Sequence, residues 1–127
     1  MKRSCTGTDV CVIENVVMKN HAPFHHIYST QMRSQLEALE RRALLLVSRA
    51  IERRLSYEPH IAVRNRKPLR TPIMDATWQL RFGPGNAYRV FYNIDAEKRV
   101  VFLQTLGIKE RTRLFVDGKR IYLEPAA

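Results

Sequence analysis

The stretch WQLRFGPGNAYRVFYNIDAEKRVVFLQTL, residues 78–106, decides the fold of this chain. Apolar and polar residues alternate through it in three runs, and Gly, Pro, Asn and Asp cluster between the runs, as they do in turns. This pattern predicts three consecutive antiparallel strands with short connections. Their expected ranges are 77–82, 88–94 and 99–106.

Two arginines, Arg81 and Arg89, fall inside these predicted strands rather than on the loops. Strand interiors are normally occupied by apolar and β-branched residues. A cation fixed on a sheet face therefore needs a reason, and an anionic partner is the most direct one. For Arg89 the alternative is a salt bridge across the sheet to Asp95 or Glu97.

On the C-terminal side, the third strand ends at Gly107 and is followed by a basic segment that contains Lys109 and Arg111. Residues 114–123 then alternate again around Asp117-Gly118, which is a strong signal for a two-residue turn. We therefore predict a C-terminal β-hairpin over this segment.

On the N-terminal side, residues 24–28 form a possible first strand, after which Ser29 or Thr30 can cap a helix. Apolar residues then recur at helical spacing in two stripes. The stripes consist of Met32, Leu36 and Leu39, and of Leu44, Val47, Ile51 and Leu55. They indicate either a helical hairpin that breaks near residues 41–42 or one long helix, and we favour the hairpin. The expected fold class is α+β, with an N-terminal helical hairpin packed on a small antiparallel β-sheet.

Between the helical region and the first of the three strands, residues 60–75 are predicted to form a loop. It is rich in cations, with Pro68 and Pro72 limiting its flexibility. The loop either contacts phosphates or is an ordinary solvated connection. The candidate contact residues are Arg64, Arg66, Lys67 and Arg70.

The composition fits one domain with a real core, since 127 residues include 45% hydrophobic ones. Lysine and arginine number 22 against 12 acidic residues, which gives a net charge of +10 and favours a nucleic acid, a ribosome or an acidic protein as partner. No apolar run is long enough to cross a membrane. We therefore expect a cytoplasmic protein without membrane association.

The two cysteines, Cys5 and Cys11, lack companions at zinc-binding spacing, so no metal or other cofactor is expected. Residues 1–20 differ in composition from the rest. We interpret them as a flexible extension, or as sequence upstream of a true start at Met18. The remaining residues, 21–127, are expected to form the single domain.

Four segments, taken in order, resemble the RelE/ParE superfamily of toxins from type II toxin–antitoxin systems. They are RNRKPLR (64–70), WQLRF (78–82), YRVFYNID (88–95) and LGIKERTRLF (106–115). The resemblance implies a small antiparallel sheet with an N-terminal helical hairpin. It also implies a toxin that a cognate acidic antitoxin silences. RelE-like members are ribosome-dependent mRNA endonucleases, which makes a metal-independent endoribonuclease that inhibits translation the leading expectation.

The resemblance also assigns roles to particular residues. Arg89 matches the arginine that stabilises charge on the scissile phosphate, and Lys109 and Arg111 fall where RelE-like proteins carry catalytic basic residues. Arg81 matches a basic position that contacts RNA, together with the cations of residues 64–70. The late catalytic tyrosine of the family aligns with Phe115. The general acid and base are therefore not identified, and Tyr92, Tyr122 and His60 are the alternatives.

Two other functions remain open from the sequence. ParE-like members poison DNA gyrase by binding, without enzymatic activity. The chain could also be a nucleic-acid-binding module without toxicity. The neighbouring reading frame would favour either toxin if it encoded a small acidic protein.

Overall fold

The computed structural model of the protein describes residues 22–121, so the predicted extension at 1–20 lies outside the described part. The described chain contains two α-helices and seven strands, all strands belonging to one sheet. The helices are α1 (Thr30–Glu37) and α2 (Arg41–Leu55). The strands are β1 (His25–Tyr28), β2 (Arg66–Ile73), β3 (Ala76–Phe82), β4 (Tyr88–Asp95), β5 (Val100–Glu110), β6 (Arg113–Val116) and β7 (Lys119–Ile121).

The sheet is a curled antiparallel meander in the order β2-β3-β4-β5-β6-β7. Strands β1 and β6 share one edge of β5, opposite the edge that pairs with β4. Strand β1 pairs in parallel with residues 100–103, and β6 pairs in antiparallel with residues 107–110. Side chains fill the gap between these two partners. Gln35 donates to the Leu106 carbonyl at 2.8 Å and accepts from the Leu106 amide at 2.9 Å, and Ser29 donates to the Gln104 carbonyl at 2.6 Å. The edge of β5 is thereby hydrogen-bonded where no strand covers it.

The predicted fold class is wrong. Most of the regular structure in residues 22–121 belongs to a large curled sheet of seven strands, the first of which precedes the helices, so the protein is not an N-terminal helical hairpin on a small sheet. The largest error concerns residues 60–75, where the predicted loop contains β2. Pro68 and Pro72 fit this strand because β2 lies at the edge of the sheet, where missing backbone donors cost no ladder bonds.

The sheet buries apolar residues on both of its faces. We call the face that carries α1 and α2 the helix side and the other face the open side. On the helix side, Met32 of α1 and the stripe Val47, Ile51 and Leu55 of α2 pack on strand residues such as Val90. Of the two predicted cap candidates, Ser29 and Thr30, it is Ser29 that caps α1, since its hydroxyl accepts from the Met32 amide at 2.9 Å.

A second, smaller cluster lies on the open side and comprises Ile73, Ala76, Phe91, Leu114 and Val116. It joins the two ends of the meander, because its residues come from β2, β3, β4 and β6. Arg89 lies near the start of β4, two residues before Phe91 of this cluster. Neither described helix is long and apolar enough to cross a membrane.

Candidate nucleic-acid interface

Arg81 and Arg89 are direct cross-strand neighbours on the open side of the sheet. Arg81 of β3 pairs with Arg89 of β4, which pairs in turn with Gly107 of β5. Side chains alternate between faces along a strand, and Val90 belongs to the helix-side core, so Arg89 projects to the opposite face. Opposite residues of an antiparallel pair share a face, which places both guanidinium groups side by side.

Arg89 is buried to an unusual degree for an arginine, with only 6% of its surface exposed. It has two weak hydrogen bonds to neutral acceptors: Nε donates to the Asn86 carbonyl at 3.3 Å and Nη1 to Gln79 Oε1 at 3.5 Å. Both distances are at the long end for N–H···O bonds. Within residues 22–121 no carboxylate pairs with Arg89, so the alternative salt bridge to Asp95 or Glu97 is not formed.

The surroundings of Arg89 disfavour its positive charge. Burial lowers the pKa of Arg89 below its ordinary value, and the charge of Arg81 lowers this pKa further. A buried cation without a counter-ion is costly, and a second cation beside it adds to the cost. An anion bound between the two guanidinium groups would relieve both effects, which makes this pair a candidate binding site.

Arg81 is held in place by the chain that precedes β2. Its Nη2 donates to the Arg64 carbonyl at 2.9 Å, and its backbone amide donates to the Asn65 carbonyl at 2.8 Å. One edge of the guanidinium is thus anchored while the side chain remains partly exposed. Arg64 itself contributes its carbonyl to this contact, and its side chain is exposed to solvent.

Of the two further predicted site residues, Lys109 lies on the open side and Arg111 lies in the turn that follows its strand. Lys109 pairs with Leu114, a member of the open-side cluster, and therefore projects to the same face as Arg89. Arg111 is exposed in the turn between β5 and β6, with a positive φ of 60°. Lys109 and Arg89 are diagonal cross-strand neighbours, at a spacing of roughly 7–8 Å between side chains in sheets of this type.

Gly107, the cross-strand neighbour of Arg89, packs closely against the open-side cluster. A Cβ at this position would lie 3.0 Å from Phe91 Cε2 and 3.1 Å from Leu114 Cδ1, which is tighter than an ordinary contact. A larger residue would therefore push these two neighbours aside. Strand alternation in the sequence places Gln79 on the face of Arg81, and the structure agrees with this. What the sequence did not reveal is that Gln79 accepts from Arg89 and that Gly107 is the cross-strand neighbour of Arg89.

The cations of residues 64–70 divide into two groups. Lys67 pairs with Gln79, so it extends the open side toward the edge strand, and Arg70 is exposed further along β2. Arg66 instead pairs with Leu80 on the helix side and is 7% exposed. Its guanidinium donates to the carbonyls of Arg54 and Ile61, at 2.7 and 2.9 Å. Arg66 thus secures the end of α2 and lies away from the Arg81–Arg89 pair.

The side chains considered for proton transfer lie elsewhere. Phe115 pairs with Ile108, which pairs with Tyr88, so it projects to the helix side. The Tyr92 hydroxyl is buried on that side and donates to the Pro59 carbonyl at 2.8 Å, and burial raises the pKa of Tyr92. His60 lies beside the Phe24 ring, with centroids 5.5 Å apart. Tyr122 lies outside the described residues.

No group of three or more potential metal ligands occurs within residues 22–121. The positive charges on the open side come from the guanidinium and ammonium groups of Arg81, Arg89, Lys67 and Lys109, and the Gln79 amide lies among them. Such a set suits a phosphate group, which accepts several hydrogen bonds and attracts positive charge.

No family model matches the chain, and a comparison with curated proteins gives no match. Among solved structures, the chain is similar to a chain in the crystal structure of the RelBE2 toxin–antitoxin complex from Mycobacterium tuberculosis. The two are 31% identical and superpose with a TM-score of 0.56, over 68% of this chain and 99% of that one. This chain therefore belongs to the RelE/ParE superfamily and is a RelE-type toxin of a toxin–antitoxin system, as the sequence resemblance predicted.

Proposed function

We propose that this toxin is an endoribonuclease that cuts mRNA on the ribosome, with the Arg81–Arg89 pair binding the scissile phosphate. The observation that carries the proposal is the state of Arg89. It is buried, it lies beside another cation, and its bonds are two long contacts to neutral groups. A residue kept for the stability of the fold would be expected to have a carboxylate or several short bonds.

The chemistry follows from where charge develops. When the ribose 2′-oxygen attacks the adjacent phosphorus, an O2′–P bond forms and the P–O5′ bond breaks, which leaves a 2′,3′-cyclic phosphate and a 5′-hydroxyl. The 2′-hydroxyl gives up its proton and the leaving 5′-oxygen takes one up, and between these states the phosphate carries more negative charge than in the substrate. The planar fork of Arg89 can donate paired hydrogen bonds to this group, in an environment of low polarity where each bond counts for more. Arg81 adds a second charge from the neighbouring strand.

The remaining cations would bind RNA on either side of the scissile phosphate. Lys109 lies on the face of Arg89, and Arg111 lies at the end of the same hairpin. Lys67 and the exposed side chains of Arg64 and Arg70 extend positive charge in the other direction. These contacts would not depend on the RNA sequence, since they are made to phosphates rather than to bases.

The proposed partners are the ribosome with its mRNA and an antitoxin, which implies action in the cytoplasm. The similar structure is a toxin–antitoxin complex, and the charge of +10 on this chain suits an acidic antitoxin. A ParE-like action on DNA gyrase is the competing function, and the experiment below separates the two.

The test is to express the toxin, its Arg89→Met variant and its Arg53→Met variant in growing cells, and then to map mRNA 5′ ends. Arg53 is an exposed arginine of α2, so its variant controls for the loss of one charge. We expect cuts at fixed positions within codons for the toxin and the control, and none for Arg89→Met. Intact mRNA together with inhibited gyrase supercoiling by the purified protein would overturn the proposal in favour of gyrase.

A further inference from the structure

We propose that Gln79 is a positioning residue for Arg89 and that it orients the guanidinium group without neutralising its charge. Gln79 belongs to β3, lies on the open side and is partly exposed. Its amide is neutral, so the full charge of Arg89 remains available to a phosphate group. The inference rests on the proposed function in taking the scissile phosphate as the anion that Arg89 binds.

Gln79 lies diagonally across the sheet from Arg89. It pairs with Phe91 on β4, two residues after Arg89, while Arg89 itself pairs with Arg81. Long side chains can reach across such a diagonal on one face of a sheet. These two side chains do so, since Gln79 Oε1 accepts from Arg89 Nη1 at 3.5 Å. A guanidinium group can only donate, and it therefore fixes the oxygen of the amide toward itself.

Two neutral acceptors hold the guanidinium group of Arg89 from two directions. The Asn86 carbonyl accepts from Nε at 3.3 Å, and Gln79 Oε1 accepts from Nη1. Within residues 22–121, Nη2 has no hydrogen-bond partner, so its two N–H groups remain for an anion. Gln79 thus helps to set the direction of Arg89 and leaves some of its donors free.

The neutrality of Gln79 leaves the fold less stable than it could be. Glutamate has nearly the same shape as glutamine and would place a carboxylate beside Arg89 Nη1. Arg89 is only 6% exposed, and burial and the charge of Arg81 both lower its pKa. A carboxylate would offset both effects and stabilise the fold. The same carboxylate would repel a phosphate group, so the more stable residue would close the site to its anion.

Among the described residues, the surroundings of Gln79 offer Arg89 no carboxylate. The cross-strand neighbours of Gln79 are Lys67 and Phe91. On β4 the acidic residue of the open side is Asp95, which lies at the far end of the strand, roughly 20 Å from Arg89 at the usual rise of a strand. The change Gln79→Glu would therefore give Arg89 the counter-ion that it lacks.

Three variants separate the charge of the acceptor from its position. The principal variant is Gln79→Glu, which replaces the amide by a carboxylate. Gln79→Leu removes the acceptor and adds no charge, so it tests orientation alone. Gln104→Glu is the matched control, because it makes the same chemical change at a partly exposed glutamine of β5. Within residues 22–121, the acceptors that contact Arg89 belong to Asn86 and Gln79, not to Gln104.

Two measurements on the purified toxin need no RNA: urea unfolding, and the affinity for sulfate by calorimetric titration. We expect Gln79→Glu to raise the urea midpoint and to weaken sulfate binding about tenfold or more, since the carboxylate pairs with Arg89 and repels the anion. Gln104→Glu should keep its sulfate affinity within about twofold, because a charge away from the site is largely screened. Gln79→Leu should bind sulfate about two- to fivefold more weakly, because Arg89 keeps its charge but loses one of its two acceptors.

On programmed ribosomes, Gln79→Glu should cut mRNA as slowly as Arg89→Met, and Gln104→Glu should cut at the unmodified rate. Unchanged sulfate affinity or a lower urea midpoint in Gln79→Glu would overturn the inference, since a residue that serves only the fold would not strengthen it and abolish anion binding together. So would full sulfate affinity in Gln79→Leu, or a failure of the unmodified toxin to bind sulfate. If the unmodified toxin cuts no RNA, the proposed function fails, but the sulfate and urea measurements still decide this inference.

Discussion

Replacing Arg89 should cost the fold little, although the residue is buried. The perturbation is Arg89→Met, which keeps much of the side-chain volume and removes the charge. The comparison is Arg66→Met, because Arg66 is buried to nearly the same degree, at 7% exposure against 6%. The two arginines differ in their bonds, and the account predicts opposite outcomes for them.

The magnitudes follow from the contacts of each side chain. Two guanidinium groups on paired strands, at roughly 6–7 Å in a medium of effective dielectric near 20, repel by about 2.5 kcal/mol before salt screening. Removing Arg89 relieves this repulsion from Arg81. It also removes two long bonds to neutral acceptors, at 3.3 and 3.5 Å, each of which contributes about 0.5 kcal/mol. The free energy of unfolding of Arg89→Met should thus stay within ~1 kcal/mol of the original, or rise.

Arg66→Met should be far more damaging. It removes two short charge-assisted bonds, at 2.7 and 2.9 Å, and leaves the carbonyls of Arg54 and Ile61 without those donors. At roughly 1.5–3 kcal/mol for each such bond, the loss is at least 3 kcal/mol. Urea unfolding of the purified proteins measures both values. A loss of 3 kcal/mol or more in Arg89→Met would refute the reasoning, since Arg89 would then serve the fold.

Three further predictions concern the same site and its surroundings. Sulfate at ten times its dissociation constant should add ~1.4 kcal/mol more to the free energy of unfolding of the toxin than to that of Arg89→Met, with chloride at equal ionic strength as the reference; an equal response of both proteins would show that no anion binds there. Gly107→Ala should lower the free energy of unfolding by about 1–3 kcal/mol in urea titrations, because the added Cβ would lie 3.0 Å from Phe91, and unchanged stability would mean that the strand shifts freely. Burial raises the pKa of Tyr28 and of Tyr92, so the folded state favours their protonated forms. The stability that these tyrosines contribute is complete below pH ~10 and falls as the pH rises above it. In thermal unfolding, Tyr92→Phe should therefore lose less stability at alkaline pH than the unmodified protein does.

The sequence was sufficient for the elements with strong local signals. Strict alternation and turn-forming residues predicted strands that correspond to β3, β4 and β5. Asp117-Gly118 connects β6 and β7 as a two-residue turn, with φ values of 52° and 80°. The cap of α1, Ser29, was one of the two predicted candidates. In each case the deciding interaction lies within a few residues along the chain.

The prediction of the overall architecture failed where contacts between distant parts of the chain determine the structure. Strand β2 has prolines and cations because it is an edge strand, and edges are not visible in local composition. Its turn into β3 is formed by Met74 and Asp75, both with positive φ (49° and 67°), although neither glycine nor asparagine marks the position. The count of strands and the size of the sheet were therefore underestimated.

The candidate site, too, was predictable where local sequence determines the structure and unpredictable where distant contacts do. The strands that carry Arg81 and Arg89 were predictable, but their direct pairing depends on the length and shape of the loop between β3 and β4. The burial of Arg89, which is only 6% exposed, depends on the tertiary packing of the sheet and is not visible in the residues around position 89. The separate position of Arg66 follows from where α2 ends, which no pattern near residue 66 reveals.

The most direct test of the central claim is the rate at which the purified toxin cuts mRNA on programmed ribosomes under single-turnover conditions. We expect Arg89→Met to bind ribosomes normally but to cut about 100-fold or more slowly, because a group that stabilises transition-state charge has been removed. A cleavage rate that equals that of the unmodified toxin would contradict the assignment of Arg89 to the scissile phosphate.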